Sequence, residues 1–158
     1  MRPVLFSLYT LILALWTGGM ALFTFIVTPA VFRSYGRDMA GEIVGKLFPG
    51  YFLSTFILSG LALVLFFLLS AGPLMRSHRA TLILLVAALL ANAYITLKLH
   101  PDVVKVKQQV ASFEREAHDS PMRKEFGRLH AISAILNLLV LADGATLLVL
   151  SRNLIKEG

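Results

Sequence analysis

The sequence predicts an all-α fold, a four-helix transmembrane bundle with an extramembrane helical hairpin between helices 3 and 4. Three observations predict it. First, the chain is 57% hydrophobic and only 15% charged, against roughly 25% charge in a soluble domain. Second, that charge is segregated. Pro3 to Phe32, Leu47 to Met75 and Ala80 to Leu97 hold no Asp, Glu, Lys or Arg, and Ala131 to Ser151 is interrupted only by Asp143. A helix needs about 20 apolar residues to cross about 30 Å of hydrocarbon. Third, the runs are uninterrupted rather than alternating. A helix satisfies every backbone donor and acceptor within its own segment, as a bilayer interior demands.

The elements follow in order, in one integral membrane domain covering residues 1–158. Helix 1 spans about residues 4–32, with Pro29 expected to kink its end. Its apolar run is longer than the roughly 7–15 residues of a cleaved signal's core, so it is expected to stay in the protein. Residues 38–48 read as a short amphipathic helix lying at the interface. Pro49 then opens helix 2, about 51–74, which ends at Gly72-Pro73. A basic loop with Arg76, His78 and Arg79 leads to helix 3, about 80–99. Val103, Val106, Val110, Phe113 and Ala117 recur at steps of three and four, an a/d-type stripe over 102–117. Ser120-Pro121 supplies an N-cap and a first-turn proline for helix 4, about 121–151. Helices 3 and 4 are therefore expected to continue into a hairpin with its tip near His118-Asp119-Ser120, reaching roughly 20 Å beyond the bilayer.

Charge and cysteine exclude several function classes. The net charge is +6, with the basic residues near helix ends. That suits anionic lipid headgroups as partners and argues against nucleic acid. With no cysteine, neither a disulfide nor a thiolate metal site can form. Four spans put both termini on one side. That side carries Arg2, Arg76, Arg79, Arg152 and Lys156 in short segments with almost no acids, against ten Lys or Arg diluted by seven acids on the other; by density of positive charge the termini are expected to be cytoplasmic.

Polar groups inside a bilayer are costly and are the first functional candidates. Asn92, Asn137 and Asp143 are such groups. His130, Ser133 and Asn137 are spaced i, i+3, i+7 and share one face of helix 4. Asp143 lies about 220° further round that helix and is expected to face helix 1 or 2. Trp16, Gly18 and Gly19 in the middle of helix 1 are further candidates for solute binding. Ala14 and Gly18, four apart, would admit a neighbouring helix closely, and the glycines would thin the wall beside a ligand. His100 ends helix 3 and His130 begins helix 4, so the hairpin places both imidazoles at one membrane face. There they would be candidate ligands for haem b or a metal ion. No zinc-protease, phosphate-loop, nucleophile-elbow or dinucleotide fingerprint occurs.

Leu15-Trp16-Thr17-Gly18-Gly19, followed by Phe23, Val27, Pro29 and Phe32, resembles the first-helix signature of the transmembrane-protein-205-like family, labelled domain of unknown function 4149. Ala40-Gly41, Gly45-Lys46-Leu47-Phe48-Pro49 and Tyr51 resemble its second block. Phe126, Leu129-His130, Ser133 and Asn137-Leu138 resemble its third. The resemblance implies a four-helix membrane protein. A human member of that family is associated with tolerance of platinum drugs. With cysteine absent, sulfur chemistry of that kind would fall to methionines such as Met20. The helix-1 block is also distantly similar to copper-resistance D proteins and J-type protoporphyrinogen oxidases. Those are haem-linked and carry their ligands in early helices, where this chain has no histidine.

The reading that follows is a non-enzymatic membrane protein that binds or moves a small solute or supports a partner, with no cofactor expected. The alternatives are a haem- or metal-binding redox protein using His100 and His130, or an accessory subunit of a homo-oligomer or larger membrane complex.

Overall fold

The computed structural model describes residues 2–70, 78–110, 112–115 and 120–156, with side chains as far as Arg152. Its elements are α1 (Arg2–Ser34), α2 (Arg37–Leu69), α3 (Arg79–Lys107) and α4 (Pro121–Lys156). No strand occurs among the described residues. All four helices are long and apolar enough to cross a membrane. They run up and down in chain order, α1 packing on α2 and α4, and α3 packing on the same two. The result is a closed ring of four neighbours.

The outside of this ring is apolar. Leu11, Phe25, Ile57, Val64, Ile83, Leu90, Leu97, Leu139 and Val149 are all at least half exposed. Such a continuous surface would aggregate in water and suits lipid. Association of the helices then depends on close packing inside, because lipid tails are as apolar as the core. One core cluster fills the end of the bundle near the termini: Tyr9, Leu13, Trp16 and Met20 from α1, Ala62, Phe66 and Leu69 from α2, Leu85 and Ala88 from α3, and Val140 and Leu147 from α4. A smaller cluster of Phe52, Ile95 and Leu99, flanked by Phe48, Tyr51 and Leu129, lies toward the other end. That other end is called the hairpin end below.

Prolines shape the hairpin end. Pro29 in α1 and Pro101 in α3 cannot donate a backbone hydrogen bond, and each ring crowds the carbonyl four residues earlier. Each helix answers with a π-helical turn just before its proline, Phe23–Val27 and Ile95–Leu99. The Thr28 N–H reaches back to the Phe23 carbonyl, and the His100 N–H to the Ile95 carbonyl. The expected kink at Pro29 is thus absorbed as one wide turn. Such turns re-aim side chains and are frequent at functional sites.

Two expectations differ from the structure. Residues 38–48 do not form a separate interfacial helix, because α2 runs unbroken from Arg37 through Pro49. Pro49 lacks one ladder bond, to the Gly45 carbonyl, and the turns on either side carry the helix through. The valine stripe of 102–117 does not continue as a tall helical arm either. Helix α3 ends at Lys107, turns at Gln108-Gln109, and folds down so that Val110 is buried. The reason is a capping interaction. Asp38 accepts hydrogen bonds from the Ser112 hydroxyl and the Phe113 N–H, both at 2.6 Å. Ser112 in turn accepts from the Glu114 and Arg115 N–H groups. Phe113 packs against Phe126 of α4 at 4.8 Å between ring centroids. Ser120 caps α4 as expected, accepting from the Arg123 N–H. The tip residues His118 and Asp119, Ala117, and the helix-2 end with Arg76 lie outside the described residues.

Candidate functional site

At the hairpin end the four helices do not close on one another. They leave a cavity of about 350 Å3 between the end of α1, the start of α2, the end of α3 and the start of α4. Ligand pockets for small molecules run from about 300 to 1,000 Å3. Thr28 and Phe32 come from α1, and Arg37, Gly41, Val44, Gly45 and Phe48 from α2. Helix α3 contributes His100, Val103, Val104 and Lys107, and α4 contributes Arg123, Phe126 and His130. Phe113, from the folded-down segment, covers one side. Thr28 and His100 are the two residues that close the π-helical turns, so the proline-induced distortions supply one cavity residue each.

The cavity leads to a smaller chamber of about 130 Å3, which shares Thr28, Phe48 and His130 with it. This chamber ends in a polar bridge across three helices. The Tyr51 hydroxyl donates to Asn137 Oδ1 at 2.6 Å, and Asn137 Nδ2 donates to Thr24 Oγ1 at 3.0 Å. Thr24 lies within the π-helical turn of α1. Phe23 stacks on Tyr51 with ring centroids 4.2 Å apart, which fixes the phenol. Ser133 is buried on the chamber wall.

The sequence-derived candidates therefore divide. His100 and His130 line the same cavity, while Ser133 and Asn137 line the chamber beyond it. Both imidazoles pack on phenylalanines: His100 on Phe52 at 5.3 Å, and His130 flat on Phe126 at 5.7 Å. Among the described residues no group of three or more His, Asp or Glu gathers to hold a metal ion. Asn92 lies elsewhere, fully buried in α3 with its Nδ2 lacking a partner. Asp143 is half buried, with Oδ1 enclosed and unpartnered, within electrostatic range of Tyr9 of α1. Neither residue lines the cavity or the chamber. Trp16 and Gly19 line a shallow cleft between α1 and α2 on the outer surface.

Gly18 and Gly19 do not admit a neighbouring helix of this chain. Both are exposed, and a Cβ at either would meet nothing within 4 Å. The close approach between α1 and α4 uses Gly144 instead, where a Cβ would stand 2.7 Å from Thr17 Oγ1. Helical phase explains the displacement. Trp16 and Met20 turn inward on α1, which sends Gly18 to the opposite side and Gly19 to the flank.

Reading the residues alone missed Arg37, Lys107, Arg123, Thr24 and Thr28 as site residues. A signal existed for the last two. Each is a threonine within five residues N-terminal of a mid-helix proline, where an altered turn points side chains off the regular phase. The three cations carried no such mark, because charges at helix ends are common in membrane proteins.

Lys107 donates to the Gly41 carbonyl at 2.5 Å and so ties α3 to α2 across the cavity mouth. Arg123 lies over the Phe113 ring at 6.0 Å, a cation–π distance. Glu42 at the surface is occupied by Lys46, 2.7 Å away. The arrangement thus combines an apolar interior, a basic mouth and a hydrogen-bonding inner end.

No curated protein and no solved structure matches the chain. A family model described as a domain of unknown function, DUF4149, matches residues 11–112, well over half of the 158 residues. Two of the three sequence blocks quoted above fall inside the match, and the block around His130 and Asn137 lies beyond it. The cavity walls from α1, α2 and α3 are therefore largely built from matched residues, and this chain, with its four candidate membrane spans, belongs to the DUF4149 family.

Proposed function

We propose that this protein binds a small amphipathic solute at one face of the membrane, in the hairpin-end cavity, without transforming it. The observation that carries the reading is the cavity itself. Its floor is apolar and aromatic, its mouth is basic, and its inner end leads to the Tyr51–Asn137–Thr24 bridge. Well-formed apolar pockets with a few convergent polar groups are the usual form of a small-molecule site. The non-catalytic part rests on the sequence, which offers no enzyme motif. Termini on the cytoplasmic side would make the opposite face the one that offers the solute.

The test is native mass spectrometry of the detergent-extracted protein beside a Val103→Trp variant, which fills the cavity. The parent should release a stoichiometric small molecule and the variant should not. A parent that carries none, or a variant that carries as much, would overturn the reading.

A second reading has one observation in its favour: His100 and His130 line the same cavity. Two imidazoles could serve as an axial pair for haem b. A purified protein with no Soret band after haem loading, or a band that survives His130→Ala, ends that reading. The third, an accessory subunit in a larger complex, draws on the outward Gly18-Gly19 face and is tested by copurification of a stoichiometric partner.

A further inference from the structure

We infer that the solute is an acidic amphiphile, with a carboxylate or phosphate head on an apolar tail. The inference rests on the cavity's being a binding site and names the class of molecule it takes. Arg37, Lys107 and Arg123 line the cavity together with His100 and His130, and no Asp or Glu lines it among the described residues. Every ionisable group on the wall is thus basic.

Two of the nearby acids are turned to other tasks, and a third, Glu114, stands against Gly36 outside the cavity lining. Asp38 caps the 112–115 segment through both carboxylate oxygens. Glu42 pairs with Lys46 at the surface. Both still act on Lys107 through space, but neither enters the cavity. Arg37 and Lys107 together give this apolar space at a membrane face a positive rim that favours an anion.

The geometry distinguishes head from tail. Lys107 has three donors and uses one on the Gly41 carbonyl, which fixes its ammonium at the mouth with two donors left to point at a ligand. Arg37 stands at the first turn of α2, beside it in the wall. Below these cations the wall becomes Val44, Phe48, Val103 and Phe126, which suit a chain of methylenes. Burial of apolar chain contributes about 0.8 kcal/mol per CH₂ in bookkeeping from water, but a tail arriving from lipid gains little of this. Selectivity must therefore come from the head.

The experiment uses the full chain in phosphatidylcholine nanodiscs, with palmitate, a lysophosphatidate and palmityl alcohol as probes in equilibrium binding. Palmitate or lysophosphatidate should bind at least about tenfold more tightly than the alcohol, since one charge-assisted hydrogen bond corresponds to that factor or more. Which acid binds better identifies the head, and either outcome supports the proposal. Arg37→Gln should remove most of that preference, weakening the two acids far more than the alcohol. Lys107→Gln should do the same, and Arg37→Gln stands alone if loss of the Gly41 contact unfolds the lysine variant. Equal binding of acid and alcohol, or preference unaffected by Arg37→Gln in a folded protein, overturns the acidic head and leaves the cavity reading standing. If none of the three probes binds, both fall.

Discussion

The two ends of the bundle are built from similar residues and packed by opposite rules. Toward the termini, α1 and α4 touch through Gly144 and Thr17, and Tyr9, Leu13, Trp16, Phe66, Leu85 and Leu147 fill the space between four helices. Toward the hairpin, the same four helices part around a cavity of about 350 Å3. The prolines account for the difference. Pro29, Pro49 and Pro101 all lie in the hairpin half, each within or beside a turn that a regular α-helix cannot complete. The terminal half has no proline inside a described helix beyond Pro3 at the start of α1. Regular helices interlock in a bilayer, whereas proline-widened helices leave room. A bundle of spanning helices can place a binding space at one membrane face in this way.

The comparison is broken most directly at the tight end. Gly144→Leu places a side chain where a Cβ alone would already meet Thr17. Overpacking of this kind typically costs about 1–3 kcal/mol, and α4 must shift as a unit to relieve it. Unfolding in mixed micelles should show that loss. Val103→Trp, at the open end, has space to occupy and should stay within about 0.5 kcal/mol of the parent. Equal losses from the two variants would mean that the ends are packed alike.

The next effect is at the inner end of the cavity. Asn137→Leu removes both halves of the bridge and strands the Tyr51 hydroxyl and the Thr24 hydroxyl. Intramembrane hydrogen bonds average about 0.6 kcal/mol each, so a loss of about 1 kcal/mol is expected. Tyr51→Phe should lose about half as much. Because the two share one bond, the double variant should fall short of the sum. Additive losses would show that Tyr51 and Asn137 act separately.

A change of similar size but more local reach is expected at the cap. Asp38→Ala takes the acceptors from Ser112 and Phe113 and should loosen residues 112–115 without unfolding the bundle. Hydrogen exchange at those amides should quicken, at a cost of about 1 kcal/mol, while exchange in α4 is unchanged. Unaltered exchange at Phe113 would mean that its packing on Phe126 holds the segment by itself.

Much of this architecture was legible before any coordinates. Three charge-free runs and a fourth broken only by Asp143 marked the four spans, and Ser120-Pro121 marked the start of α4. The i, i+3, i+7 spacing of His130, Ser133 and Asn137 put them on one side of a single space. What could not be read has specific causes. Asp38 lies more than seventy residues from Ser112, and no local pattern reveals that it caps that turn. Pro49 in a soluble helix would signal a break, yet in a membrane its neighbours carry the helix through. Small residues such as Gly18 and Gly144 are equivalent in sequence. Only the phase of the buried residues on each helix, Trp16 and Met20 on α1 and Val140 and Leu147 on α4, decides which of them faces the core.

That last point gives the smallest expected effect and the sharpest use of it. Gly18→Leu and Gly19→Leu add large side chains to the exposed face of α1, where nothing of this chain lies within 4 Å. Within one chain they should leave stability inside about 0.5 kcal/mol, and replacing a mid-helix glycine can raise helix propensity by a similar amount. Leu15 and Leu22 already stand exposed along that helix, so two further leucines continue a surface suited to lipid. The informative quantity is the size of the particle. If the protein is a single chain in nanodiscs, both variants should match the parent in mass and in thermal stability. If the parent is a homo-oligomer that either variant dissociates, the Ala14–Gly18 spacing serves another copy, because small residues four apart let two backbones approach in lipid. Gly144→Leu, tested beside them, should destabilise the single chain in either case.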